Sequence, residues 1–370
     1  MNKLPEITKG GENSLTGTVI ERLRDHIMRN CHGRQKFLSE RQLAEHYNIS
    51  RITIGKAIRT LVQEGLLYQL RGSGTYVAEK KMTLHKKIGL IVYHCDNPFY
   101  SKIIKRIQQE LDLAGFHAIL VNTEGNPHTE NLGVKKLKEG VDGFVIAPVL
   151  ENDDALCSEI QHLINQNFPT VLMCHAPSGN RISNVSTVIP NYFQGGYSMT
   201  QYLIGKGYRK IIFLSVKEIF HRQDIMDRYE GYKKSLHDNH IPFMEDLVIN
   251  IDGNDPINGF FNDGCKAAND IIPLIEPQTA VFAIGDSCAI GLMRGLRERG
   301  ISTPEDLGIC GFDDIELAAQ WGIDLTTIRV DFESLAKQTA RIIIAKISEP
   351  ENRNVEHVIC PVELVPRKSA

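Results

Sequence analysis

Residues 38–61 read LSERQLAEHYNISRITIGKAIRTL, two short amphipathic stretches that meet at the polar break Asn48-Ile49-Ser50. Ser50 is a good helix N-cap. After it Ile54, Ala57, Ile58, Leu61 and Val62 recur at the spacing of one buried helix face. Arg51, Thr53, Lys56 and Arg59 fall off that stripe, on or near the solvent side. Upstream, Val19, Leu23 and Ile27 predict a helix within 16–30, and Leu43, Ala44 and Tyr47 give the inward side of a second short one. Downstream, Gly65 suits a helix C-terminus, and LLYQL and TYVA flank the turn RGSG as a hairpin. Three helices and a hairpin within about 65 residues describe a winged helix-turn-helix.

Charge is divided unevenly along the 370 residues. The net charge is −3, yet residues 1–80 hold 13 Lys/Arg against 8 Asp/Glu and the remainder 29 against 37. A basic head on an acidic body points to a polyanion partner for the head. The first-turn N–H groups of the third helix can face a phosphate. Arg51 has the donor fork that reads a guanine edge. Arg71 and Gly72 sit at the hairpin tip, where a wing meets the DNA backbone or minor groove. The competing reading is a solvated basic face on a small bundle. Hairpin, turn and charge asymmetry together favour DNA.

The rest is bounded by composition. With 42% hydrophobic and 24% charged residues the chain reads as globular, with two or three domains. It lacks an apolar run long enough to span a bilayer. The opening MNKLPEITKGGENS has no apolar core, so no secretory signal is expected and the cytoplasm is the expected compartment. Eight scattered cysteines with no CxxC pair argue against a zinc site or a disulfide framework. EKKMTLHKK (79–87) reads as a linker, and past it the pattern changes. IGLIVY, HAILVN, GVDGFVIAPV, FPTVLMC, RKIIFLS, TAVFAIG and LGICGF are short buried strands alternating with helical stretches. That is the pattern of parallel sheets covered on both faces. The expected fold class is α/β. The head spans 14–79, the linker 80–87 and a two-lobed body 88–370.

The head resembles the GntR family of bacterial regulators. FLSERQLA, ISRITIGKAI, EGLL and RGSGTYV follow that family's order and spacing over residues 16–78. The resemblance implies DNA contacts at Arg41, Ser50, Arg51, Arg71 and Gly72. Leu38 stands where the family has proline and Gly55 where it has arginine, with Lys56 as a possible substitute. The body resembles LacI/GalR effector domains, themselves like periplasmic sugar-binding proteins. IGLIVYHCDNPFYSKIIKRIQQELDLAGFHAILVN, AVFAIGDSCAIGLMRGLRERGISTPEDLGICGFDDIELA and LTTIRVDF carry that likeness from about 88 to 366. It implies two lobes joined by three chain crossovers, with a ligand cleft between them. This head on this body is the arabinose-repressor type of arrangement.

Loops after the C-ends of parallel strands are where open α/β sheets bind ligands. There Phe99 and Tyr100 offer flat faces to a sugar ring, Asp313 can accept two hydroxyls, and Arg228 presents donors. The resemblance assigns the main polar ligand contacts to Asp313 and Arg228. Cys174, His175 and Gly285 stand where relatives often carry aspartate, arginine and asparagine. Arg222 adds a charge that would suit an acidic or phosphorylated ligand. The competing readings are lobe core for Phe99 and Tyr100, a helix cap or ion pair for Asp313, and an interlobe salt bridge for Arg228. Asp286 reads as structural. Gly195-Gly196 reads as close helix packing. Trp321 fits either a ligand stack or the core.

No GxGxxG follows the first strand, and there is no Walker A sequence, no GxSxG elbow and no metal-ligand spacing. The expectation is therefore not an enzyme, with no cofactor and no metal. It is a ligand-responsive DNA-binding regulator that represses carbohydrate-utilisation genes until a small sugar-like effector releases it. It would act as a homodimer on a near-palindromic double-stranded operator, away from membranes. The alternative is a co-repressor-type or activating regulator responding to a phosphorylated sugar or a nucleoside or purine. A solute-binding protein is a further, weaker reading.

Overall fold

The computed structural model describes residues 15–30, 35–70, 73–78, 85–150, 155–177, 184–217, 222–253, 258 and 260–370. The chain divides into two compact units, Met1–Thr83 and Leu84–Ala370.

The first unit holds α1 (Leu15–Asn30), α2 (Glu40–Tyr47), α3 (Arg51–Gln63), β1 (Leu67–Leu70) and β2 (Gly74–Val77). Local capping sets its turn. Ser39 accepts from the Gln42 N–H, and the Gln42 side chain accepts from the Ser39 N–H at 2.9 Å. Asn48, in the left-handed region at φ 51, ends α2 and returns its N–H to the Ala44 carbonyl. Ser50 then starts α3, its hydroxyl accepting from the Thr53 N–H at 3.2 Å. The strands pair antiparallel with Tyr68 opposite Tyr76, rings stacked 5.6 Å apart. Val19, Leu23, Leu43, Ile54, Ile58, Leu61 and Leu67 form one buried core, with Val62 and Tyr47 at its margin. Arg24 on α1 closes two hydrogen bonds on Glu64 at the end of α3.

The second unit begins with β3 (Lys87–Val92), α4 (Pro98–Leu113), β4 (His117–Asn122), α5 (Pro127–Leu137), β5 (Gly143–Ile146), α6 (Ser158–Asn165), β6 (Thr170–Met173) and β7 (Ser186–Pro190). Then follow α7 (Tyr192–Gly205), β8 (Lys210–Val216), α8 (Gln223–Asp238), β9 (Val248–Ile251), α9 (Phe261–Ile271), β10 (Thr279–Ala283), α10 (Asp286–Arg297) and β11 (Gly308–Cys310). The last elements are β12 (Thr327–Val330), α11 (Phe332–Ser348), β13 (His357–Cys360) and β14 (Val362–Val365). Lys87, read from the sequence as the last linker residue, is thus the first residue of a strand. The Asp142 carboxylate accepts the backbone N–H of both His85 and Lys87, at 2.9 and 3.2 Å.

Two parallel sheets result, one per lobe. The first runs β13-β7-β6-β5-β3-β4 and the second β11-β10-β8-β9. β5, β6 and β10 are buried along their whole length, as sheets covered on both faces require. The chain crosses between lobes after β7, before α11 and after β13, where β14 pairs with β12. In the second lobe α7 and α8 touch backbone to backbone. A Cβ on Gly196 would stand 2.1 Å from the Arg228 carbonyl oxygen, and one on Gly231 2.2 Å from that of Phe193. The glycine pair 195–196 is therefore a packing device, and it sets the height of Arg228 on α8. Among the described residues no helix is long and apolar enough to cross a membrane.

Candidate functional site

A cavity between the lobes of the second unit is walled by loops following β3, β6, β8, β9, β10 and β11. These are the C-terminal strand ends where parallel sheets receive ligands. Asn97 caps α4 and Pro98 occupies its first turn, which fixes Phe99 and Tyr100 at the cavity's edge. Both line it and both are buried in the lobe core, so the two sequence readings hold together. The Tyr100 hydroxyl hydrogen-bonds His175 Nε2. Arg228 lies over the rings of Tyr192 and Phe312, 4.6 and 4.2 Å from their centres, and donates to the Ile284 carbonyl at 2.7 Å. That cation–π sandwich fixes the guanidinium plane. Asp313 has φ 107, a region costing about 1–3 kcal/mol for a residue with a side chain. A Cβ on Gly285 would lie 3.5 Å from Asp313 Oδ2, so the missing side chain leaves room beside that carboxylate.

Among the described residues, four buried atoms of the wall have no hydrogen-bond partner: Asp313 Oδ1, Arg228 Nε, His175 Nδ1 and His94 Nε2. Buried polar atoms are nearly always paired, so four together mark a place prepared for a polar guest. The charges around them are organised by Asp224. It receives two bonds from Arg222 at 2.9 and 3.1 Å, and lies 3.6 Å from His175 Nδ1 and 3.9 Å from Arg228 Nη2. Burial alone would raise the Asp224 carboxyl, but Arg222, His175 and Arg228 hold it well below its usual range. Burial pushes the His175 imidazole down, Asp224 notwithstanding, which favours the ring with one N–H. If the Tyr100 phenol donates to Nε2, that N–H sits on Nδ1, toward Asp224. Burial raises Asp313 to about 7, against the lowering pull of Arg228.

Of the residues expected at a ligand site, Phe99, Tyr100, His175, Arg222, Arg228, Gly285 and Asp313 line this one cavity. Cys174 does not. Its side chain is fully buried in the lobe core, and it serves through its carbonyl, which accepts the Tyr192 hydroxyl at 3.1 Å. Arg222 is not a free charge, because Asp224 already holds it. Asp286 lines the cavity, but its oxygens accept the Ile315 N–H and the Thr327 hydroxyl, steadying the loop that carries Asp313. Trp321 is 94% exposed, so it neither stacks in the cavity nor fills the core. Asp224, Tyr93, Tyr192 and Phe260 are wall residues that sequence reasoning passed over. Asp224 had a signal, since it stands four residues before Arg228 on one helix face.

In the first unit Arg41, Arg51 and Lys56 are exposed, and Thr53 is half-buried. Arg41 pairs with Glu45 at 2.9 Å along α2. The Ser50 hydroxyl engages both the N–H and the hydroxyl of Thr53, so one first-turn N–H of α3 is already satisfied. Arg71 and Gly72 lie outside the described residues.

Residues 15–77 match the gntR family of bacterial regulatory proteins, and residues 200–370 match the periplasmic binding protein-like domain. The transcriptional repressor PurR of Vibrio atlanticus is 31% identical over 275 residues, 74% of this chain and 78% of that one. The arabinose metabolism transcriptional repressor of Geobacillus stearothermophilus is 25% identical over 346 residues, 90% and 91% of the two chains. A solved LacI family transcriptional regulator from Enterococcus faecium, with bound ribose, is 28% identical. It covers 77% of this chain and 98% of its own, with a TM-score of 0.64. These relatives are transcription regulators rather than enzymes. With a gntR-type helix-turn-helix head and a ligand-binding body, this chain belongs to the LacI/PurR type of transcriptional repressors.

Proposed function

We propose that the interlobe cavity takes a small, uncharged, polyhydroxylated effector of monosaccharide size, and that this effector releases the repressor from its operator. The observation that carries the reading is the set of unpartnered polar atoms at the cavity wall. Asp313 Oδ1 asks for a donor, Arg228 Nε for an acceptor, and His175 Nδ1 for whichever its tautomer requires. Vicinal hydroxyls supply both roles. The described wall holds three carboxyls, Asp224, Asp286 and Asp313, against the two guanidinium groups of Arg222 and Arg228, and Asp224 already holds Arg222, so a phosphate would enter without a free cation to meet it. The ribose held by the Enterococcus faecium relative and the arabinose in the Geobacillus stearothermophilus relative's name support the same chemistry. The test is a thermal-shift series on the full chain with pentoses, hexoses, sugar phosphates and nucleosides. A neutral sugar at ~100 times its dissociation constant should add ~2.7 kcal/mol of stability. Stabilisation by phosphate esters or nucleosides alone would contradict the reading.

The repressor works as a homodimer on a near-palindromic operator, with two copies of α3 about one turn of DNA apart. Support comes from the second unit's surface. Trp321 projects beside a groove lined by Ile290, Met293, Ile301 and Ile323. A knob and a hole on one face are self-complementary across a two-fold axis. Trp321→Glu should convert the dimer to monomer in sedimentation velocity. An unchanged sedimentation coefficient would move the interface elsewhere.

A further inference from the structure

Ile52 is 72% exposed, the second residue of α3. An α-helix advances about 100° per residue. The buried residues Ile54, Ala57, Ile58 and Leu61 then fix the core-facing line of α3, and Ile52 falls within about 20° of the line opposite. Lys56 and Arg59, both exposed, stand within about 40° of it, while Arg51 and Thr53 lie about 100° to either side. Gly55, to one side of that line, is buried, and a Cβ there would lie 3.4 Å from Glu40 Oε2. The middle of the solvent face is therefore an isoleucine framed by cations. Exposed isoleucines are common singly and need no explanation of their own; this one sits where a recognition helix meets base edges.

We propose that Ile52 is a specificity-determining residue that reads the C5-methyl group of one thymine in each operator half-site. The inference rests on α3 being the helix that enters the major groove. In that groove the thymine methyl is the apolar base-edge group, while guanine, cytosine and adenine present hydrogen-bonding atoms. An isoleucine pressed on any of those atoms strips its water and returns no hydrogen bond. Pressed on a methyl, it buries apolar surface on both sides. Arg51 and Lys56 on the flanks then reach phosphates or a neighbouring base, and Ile52 sets the preference for T·A at the centre of its contact.

The test uses the full chain and a duplex selected by that chain from a random-sequence library. Each thymine of the selected duplex is replaced in turn by deoxyuridine, which lacks only the methyl group. One position per half-site should lose about fourfold in affinity, the worth of one buried methylene-sized group. Ile52→Ala should bind the thymine and deoxyuridine duplexes equally, with scrambled-duplex affinity unchanged. No position sensitive to deoxyuridine, or the same sensitivity retained in Ile52→Ala, overturns the inference. Arg51→Ala and Lys56→Ala separate this from failure of the underlying reading. If both leave selected-duplex binding intact, α3 is not in the groove. If they weaken binding while the methyl has no effect, only the role of Ile52 is lost.

Discussion

Asp224→Ala should lower the stability of the body by about 3–5 kcal/mol, the cost of leaving buried charges without their counter-ion. Asp224 is 4% exposed and serves Arg222, Arg228 and His175 at once. Removing it leaves the guanidinium groups of Arg222, partly exposed, and Arg228, buried, without their shared carboxylate. The effect exceeds that of an exposed surface pair such as Arg41 with Glu45, which solvent screens. The pH dependence has a definite sign. The folded-state pKa of Asp224 is depressed, so its contribution is present above the unfolded value of about 4 and is lost as pH falls through the folded value. Urea unfolding at pH 7 and at progressively lower pH checks both points. A variant as stable as the parent at pH 7 would mean that the charge cluster is not the keystone of the second lobe.

Asp313→Ala should abolish the response to effector while leaving operator binding intact. A guest hydroxyl left without its acceptor costs about 1–3 kcal/mol of affinity, and no described part of the head contains this residue. The parent protein should also bind effector in a proton-linked way. Asp313 is raised to about 7 by burial, so its proton stabilises the free fold below about pH 4 and that benefit is lost as pH rises through 7. Arg228, Arg222 and Lys102 pull this value down, while Asp224 pushes it up. A hydroxyl donating to Asp313 Oδ1 favours the ionised carboxylate. Effector binding should then release a proton near pH 6–7, and affinity should rise with pH to a plateau above 7. Calorimetry in two buffers of different ionisation enthalpy counts that proton. Asp313→Asn should flatten the profile; a slope kept in Asp313→Asn would place the titrating group elsewhere.

Most of the head is written locally. Ser39, Gln42, Asn48, Ser50 and Gly65 act on backbone within a few residues of themselves, so their caps and turns could be read directly. The parallel sheets were legible because strands buried on both faces are continuously apolar. The cavity was legible where position after a strand decided it, as for Phe99 and Asp313, and at Arg228 through the family resemblance. What the sequence hides is pairing across the fold. Arg222 looks like a free charge until Asp224 is seen to hold it. Cys174 looks like a ligand contact until the lobe core closes over its thiol. Trp321 suggested a stack or a core filler because a lone tryptophan carries no mark of what lies above it.

Under the proposed release mechanism, effector and operator compete through the conformation of one protein. A ligand can shift that equilibrium only by its differential affinity for the two states, and the coupling must be reciprocal. The direct measurement is calorimetric: the effector's affinity for the full chain, alone and with saturating operator duplex. Effector should bind more weakly in the presence of operator, by the same factor by which effector weakens operator binding. Equal affinities would contradict it, and tighter binding with operator would make the effector a co-repressor.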